Sequence, residues 1–219
     1  MKLYMTWLGN MESLKDYEVI FQRKLDQSYS QRYAVVGINY EKPTYVKAIV
    51  RTDLKRGERF SVDQDDSVIY EGRKIGSVVD FKDGDEIKVN TDYDIKYTGG
   101  YSVDGKTVFL DEHFPRFIEV DGKKIDTTVS IDRHHEIPEK WLSDNAFEYP
   151  YAHEIATKIE REYVESLGVN WDDYCREVDR QLREVYRRKL QKSPKDLDLA
   201  PYFYSRDKEA LKEIRDSEK

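Results

Sequence analysis

All four histidines of the chain fall between positions 113 and 153, and two of them carry a carboxylate at helical spacing. In His135-Glu136-Ile137-Pro138-Glu139, His135 and Glu139 stand four apart. On a helix that puts imidazole and carboxylate on one face, one turn apart, which is a chelate geometry. An ion of borderline hardness takes neutral imidazole and carboxylate together, and a catalytic zinc-type site keeps three protein ligands with one open position. His135, Glu139 and His153 would supply three. Glu136 follows the first histidine directly, the place held by the general base in His-Glu-x-x-His peptidases. Here Glu139 replaces the second histidine of that pattern, so the match is a variant. Glu160 shares the polar edge of the next helix with His153, but seven residues rise ~10.5 Å, too far for one helix to bring both to one ion. A solvated helix face is the bland alternative in a chain that is 37% charged. His134 and His113 read as surface residues or as groups behind the ligands. Asp111 reads as a strand-end turn residue or as the orienting partner of a ligand histidine.

The metal reading needs two packed helices. The second is well marked: Pro150 suits its first turn, Ala152, Ile155, Ala156, Ile159 and Tyr163 form its apolar stripe, and Gly168 stops it. The first, from about residue 126 to 143, contains Pro138, which removes a backbone hydrogen bond and kinks the helix or marks its start. A third, from about 171 to 191, has Asn170 as cap and buries Tyr174, Val178, Leu182, Val185 and Tyr186. The stretch 193–202 reads as extended, and 205–215 as a short charged helix.

Before residue 125 the apolar period is mostly two. Residues 33–39, 44–50, 67–70, 75–80 and 86–89 read as strands, as do 107–110 and 116–120. Glu71-Gly72, Asp83-Gly84, Asp104-Gly105 and Asp121-Gly122 serve as turns. Leu14, Tyr17, Phe21 and Leu25 are spaced for one helical face over residues 11–29, with Asn10 as cap. The expectation is therefore an α+β chain. A β-rich N-terminal half with one leading helix (residues 1–96) precedes a β-hairpin and a three- to four-helix domain (residues 97–219), joined near Tyr97-Thr98-Gly99-Gly100.

Composition narrows the function. A formal charge of −7 argues against general attraction to nucleic acid or anionic membrane. The basic stretch Arg176, Arg180, Arg183, Arg187, Arg188 and Lys189 reads as a charged helix face. The single cysteine, Cys175, excludes an internal disulfide and a cysteine metal site. No run approaches the ~20 apolar residues of a membrane span, and the opening residues are too short an apolar run for a secretory signal. A cytosolic protein is expected.

Gly99-Gly100-Tyr101-Ser102-Val103-Asp104-Gly105-Lys106-Thr107-Val108-Phe109-Leu110-Asp111, Phe114-Pro115, His135-Glu136-x-x-Glu139-Lys140, Tyr149-x-x-Ala152-His153-x-x-Ala156-x-x-x-Glu160, Gly168-Val169-x-Trp171-x-x-Tyr174 and Pro194-x-Asp196-Leu197-Asp198-Leu199-x-Pro201-Tyr202 follow in that order. Over about residues 97–215 this resembles an uncharacterised family of bacteriophage and prophage proteins, met also as a segment of larger virion-associated polypeptides. The resemblance implies that His135, Glu139, His153 and Glu160 belong together, and it implies host cytosol or virion as location. Pro138 and the polar Ser130-Ile131-Asp132-Arg133 approach depart from the family's pattern. Residues 1–96 carry no resemblance.

Three functions compete on sequence. One is a phage interaction protein in which a metal-bearing helical half is a scaffold and the tyrosine-rich β half binds a host or virion protein; 17 tyrosines suit an interface or an aromatic core. The second is a zinc-dependent, peptidase-like hydrolase with His135, Glu139 and His153 as ligands and Glu136 as base. The third, an acidic mimic that blocks a host DNA-binding protein, rests on the −7 charge alone.

Overall fold

The computed structural model describes residues 14–25, 31–39, 44–83, 86–145 and 147–217. The chain divides into two compact units, Met1–Asp83 and Gly84–Lys219.

Unit one is a closed six-stranded barrel in the order β1-β2-β3-β6-β5-β4. Its strands are β1 (Lys15–Lys24), β2 (Tyr33–Asn39), β3 (Thr44–Val50), β4 (Arg59–Val62), β5 (Ser67–Tyr70) and β6 (Arg73–Asp83). Every pairing is antiparallel, and β1 against β4 closes the ring. Tyr17, Val19, Val35, Val46, Ala48, Val50, Leu54, Phe60 and Val68 fill the interior. Glu71 and Gly72, both at positive φ, join β5 to β6 in the tight primed turn that a two-residue hairpin prefers.

β1 stands where a leading helix is expected. Tyr17 and Val19 alternate into the core, and a bulge between Val19 and Phe21 shifts the phase. Leu14 and Leu25, which complete the helical stripe, are 51% and 38% exposed. Four apolar residues at three- and four-residue spacing also fit a strand with one bulge, and pairing with both β2 and β4 decides between them. Asn10 and parts of 11–29 lie outside the described residues.

Unit two begins earlier than the 96/97 junction read from sequence, because β7 (Lys88–Tyr93) pairs in parallel with β9 (Thr107–Asp111). β8 (Gly99–Tyr101) flanks β9 on its other side. β10 (Phe117–Val120) and β11 (Lys123–Asp126) form a separate hairpin. Helices follow: a π-helix at Thr128–Glu136, then α1 (Ile137–Asp144), α2 (Tyr149–Ser166), α3 (Trp171–Tyr186), α4 (Ala200–Ser205) and α5 (Lys208–Ser217). The change of apolar period near residue 125 therefore marks a real change of structure, and the α+β class holds. α2 carries proline in its first turn and ends before Gly168, whose φ is +71°. Asn170 caps α3, accepting from the backbone N–H groups of Asp172 and Asp173.

Leu110, Phe114, Ile131 and Val185 pack β9, the π-helix and α3 into one cluster. Ile118, Val120, Ile125, Val164 and Tyr174 seat the β10–β11 hairpin on α2 and α3. Of the stretch 193–202 expected to be extended, residues 195–196 form a turn and 200–202 open α4; the part before α4 runs along β8, where Val103 N–H donates to Asp196 O and Asp198 N–H to Tyr101 O. Along α3 and its cap, Arg176, Arg180 and Arg187 pair with Asp173, Glu177 and Glu184, so half of the basic stretch is paired with carboxylates of its own helix.

Candidate metal centre

His135 and Glu139 do share a face, because the chain remains helical through Pro138. The preceding nine residues form the wider π-helix, and Ile137 N–H donates to the carbonyl of Asp132, five residues back. In an uninterrupted α-helix the Pro138 ring would meet the carbonyl four residues earlier. The wider turn is a geometry that tolerates a residue with no N–H, and such turns recur at functional sites. Pro138 sits in the first turn of α1.

α2 lays His153 against that face. His135 Nε2 lies 3.1 Å from His153 Nδ1 and 3.5 Å from Glu139 Oε2, and His153 Nδ1 lies 2.6 Å from Glu139 Oε2. Three potential ligand atoms thus lie within reach of one point. Donors held 2.0–2.1 Å from a tetrahedral zinc ion stand about 3.3 Å apart, so the triangle fits such an ion once its shortest edge, 2.6 Å, opens by about 0.7 Å.

Glu160 occupies a different position. The imidazole of His135 spans the gap between the two polar residues of α2: Nε2 faces His153, and Nδ1 bonds Glu160 Oε2 at 3.0 Å. Glu160 Oε1 accepts from Tyr174 OH at 2.7 Å, and Tyr101 OH donates to Glu139 Oε1 at 3.0 Å. A proton on Nδ1, held by a carboxylate, leaves the Nε2 lone pair facing the other donors, an arrangement common behind metal-bound histidines. Neither Tyr101 nor Tyr174 is singled out by the sequence as a site residue. The tyrosine positions of the family-like motifs are the only signal for them.

Electrostatics follow from this packing. Burial alone would lower the pKa of His135, but its hydrogen bonds with Glu139 and Glu160 outweigh that and hold it well above the usual histidine value. For Glu139, burial works upward, and the two histidines overcome it and bring the carboxyl down to about 2. Glu136 goes the other way. Burial first, then the charge of Glu139, raise it well above the usual carboxylate range. Burial also pushes the Cys175 thiol up to about 11, so it is an unreactive packing residue at neutral pH.

The triad opens on a cavity of about 300 Å³. Glu136 lines it, as do Gly99 and Gly100 of β8, Glu160 and Asp198, and the apolar wall is Tyr97, Ile131, Tyr149, Val178, Pro201 and Tyr202. A Cβ at Gly99 would lie 2.8 Å from Glu136 Oε1, so only glycine lets β8 approach this carboxylate without displacing it. The side chain of His153 is 50% exposed against 12% for His135, so the site faces solvent on the α2 side. His134 is separate: its Nδ1 bonds Val129 O at 2.7 Å, its ring stacks on Tyr163, and burial lowers its pKa. Asp111 bonds none of the three histidine and glutamate side chains of this triad. Its oxygens accept from the backbone N–H groups of Ile95 and His113, which makes it a turn residue.

Comparisons with protein-family models, with curated proteins and with solved structures found no match for this chain.

Proposed function

We propose that unit two is a divalent-metal hydrolase, with zinc the ion best suited to its donors. His135 Nε2, His153 Nδ1 and Glu139 Oε2 are its ligands, and Glu136 is its general base. The observation that carries this reading is the presence of Glu136 in the same cavity that the converging triad faces. A structural metal needs no such carboxyl and no cavity. A divalent ion there supplies Lewis acidity, acidifying water and polarising a carbonyl. The protein does the rest. Glu136 takes a proton from the attacking water as the new C–O bond forms, then passes it to the leaving nitrogen as the C–N bond breaks. Burial raises the Glu136 carboxyl above its ordinary value, the direction that suits a group which first takes and then returns a proton. Glu160 holds His135 in the ligating tautomer, and Tyr101 and Tyr174 fix the two carboxylates. The apolar wall fits an aromatic or aliphatic portion of the substrate, so a peptide with such a side chain beside the scissile bond is the class expected.

The alternative of an interaction scaffold draws on the tyrosine content. Tyr17, Tyr45, Tyr101, Tyr174 and Tyr202 are among the largest fully buried side chains, so much of that content serves cores and this site. Zinc-dependent cleavage of aromatic-containing peptides by the full chain tests the proposal. Glu136→Gln is expected to retain zinc while losing ~10²-fold or more in rate. Failure to take up zinc, or cleavage unchanged in Glu136→Gln, would refute it.

A further inference from the structure

A second group of donors converges away from the cavity, at one end of the β7-β9-β8 sheet. Tyr93 pairs with Asp111 across the parallel strands, so Asp94 after β7 and Glu112 and His113 after β9 emerge side by side. His113 Nε2 lies 3.1 Å from Asp94 Oδ1 and 3.3 Å from Glu112 Oε1. Asp94 is only 3% exposed. Its Oδ2 accepts from Gln191 N–H at 2.7 Å, whereas no donor among the described residues makes a hydrogen bond to Oδ1. Oδ1 faces the His113 ring nitrogen inside the cluster instead. The cavity beside Asp94 and His113, which Glu112 does not line, is about 10 Å³, the scale of a single water. Lys96, Arg188 and Lys189 also line it, and Lys96 is engaged with both oxygens of Glu213.

We propose that Asp94 Oδ1, Glu112 Oε1 and His113 Nε2 form a second divalent-cation site, structural in role and independent of the cavity triad. The two measured edges match the ~3.3–3.5 Å separation of donors held 2.0–2.2 Å from a tetrahedral ion. One imidazole with two carboxylates selects a zinc-like ion over calcium or magnesium, which demand six or more oxygens. The ion would fasten three pieces of backbone already in contact: the end of β7, the turn after β9, and the segment after α3. Glu112 N–H donates to Tyr93 O, and Asp94 N–H donates to Lys192 O. The side chains of His113 and Glu112 are 34% and 37% exposed, so the ion exchanges with solvent.

The test is zinc content per chain after equilibration with excess zinc and dialysis, with circular dichroism on each sample. Two ions are expected in the wild type. One is expected in His113→Ala, one in Glu112→Gln, and one in the His135→Ala, His153→Ala double variant. Because Glu112 is exposed, loss of an ion from Glu112→Gln with an unchanged spectrum separates lost ligation from lost folding. One ion in the wild type that persists in both His113→Ala and Glu112→Gln overturns the proposal, as do two ions that neither variant reduces. A single ion lost in His113→Ala but retained in the double variant upholds this site and removes the cavity reading instead. A wild type that takes up no zinc removes both.

Discussion

His135 is the residue on which the cavity site turns, because its two ring nitrogens do different work. Nδ1 bonds Glu160, and Nε2 faces His153 and Glu139. Glu160→Gln keeps the size of the side chain and weakens its hold on the Nδ1 proton. Zinc affinity is expected to fall 10- to 100-fold, read by competition with a chelating dye; an unchanged affinity would separate Glu160 from the site. The protonation of this cluster also sets a pH dependence with opposite signs for the stripped and the loaded protein. Glu139, lowered in the fold to about 2, contributes stability above its unfolded value of ~4.3 and loses it as pH falls through about 2. His135, raised in the fold, contributes stability below its unfolded value of ~6.5 and loses it as pH rises through its folded value. The stripped chain therefore draws most from the cluster between about pH 4.5 and 6.5. Zinc needs the unprotonated ring, so its stabilisation grows as pH climbs past that window. Thermal midpoints with and without zinc should differ little at pH 5.5 and widely at pH 8, and a pH-independent difference would contradict this assignment.

Among the elements, β8 and the π-helix decide whether the site is built at all. Gly99→Ala is the sharpest probe, since the added Cβ meets the end of the flexible Glu136 side chain, which can swing away. Folding and zinc content should survive while hydrolysis drops at least ~10-fold, a loss of positioning that rate measurements on a zinc-loaded sample would read. These two elements also show what a sequence reader can and cannot see. The convergence of His135, Glu139 and His153 was legible because i, i+4 spacing and a strong apolar stripe on α2 are local signals. The limits of α2 and the Asn170 cap of α3 were legible for the same reason, whereas α3 stops at Tyr186, short of the expected 191. The π-turn was not legible, since Pro138 reads equally as a kink or a helix start, and widening depends on contacts around it. The position of Glu160 was missed because its distance from His153 was measured along α2, whereas the ring of His135 fills that interval from another element. β8 escaped notice since Gly99-Gly100-Tyr101 has no alternating pattern; its strand state comes from β9 beside it. β1 was misread because its apolar residues match two periods, and only β2 and β4, distant in sequence, settle the choice.

At the scale of the molecule, the two units rest on different kinds of order. Unit two assembles from separate small clusters around a cavity, and its sheet has three strands. Unit one is a ring with a single core. Its first described strand is also its closing strand, hydrogen-bonded on both sides. A chain shortened to begin after Lys24 would therefore lose all ten residues of β1. β2 and β4 would each present a bare row of N–H and C=O groups, and the ring would become an open sheet with two templating borders. The expected product is a particle that grows by strand exchange with its neighbours, seen as rising mass in sedimentation and thioflavin-positive precipitate. A shortened chain that stays monodisperse would mean that other parts of the protein cover those borders. For anyone expressing this protein, proteolytic nicking near the amino end is thus a solubility hazard before it is a loss of activity.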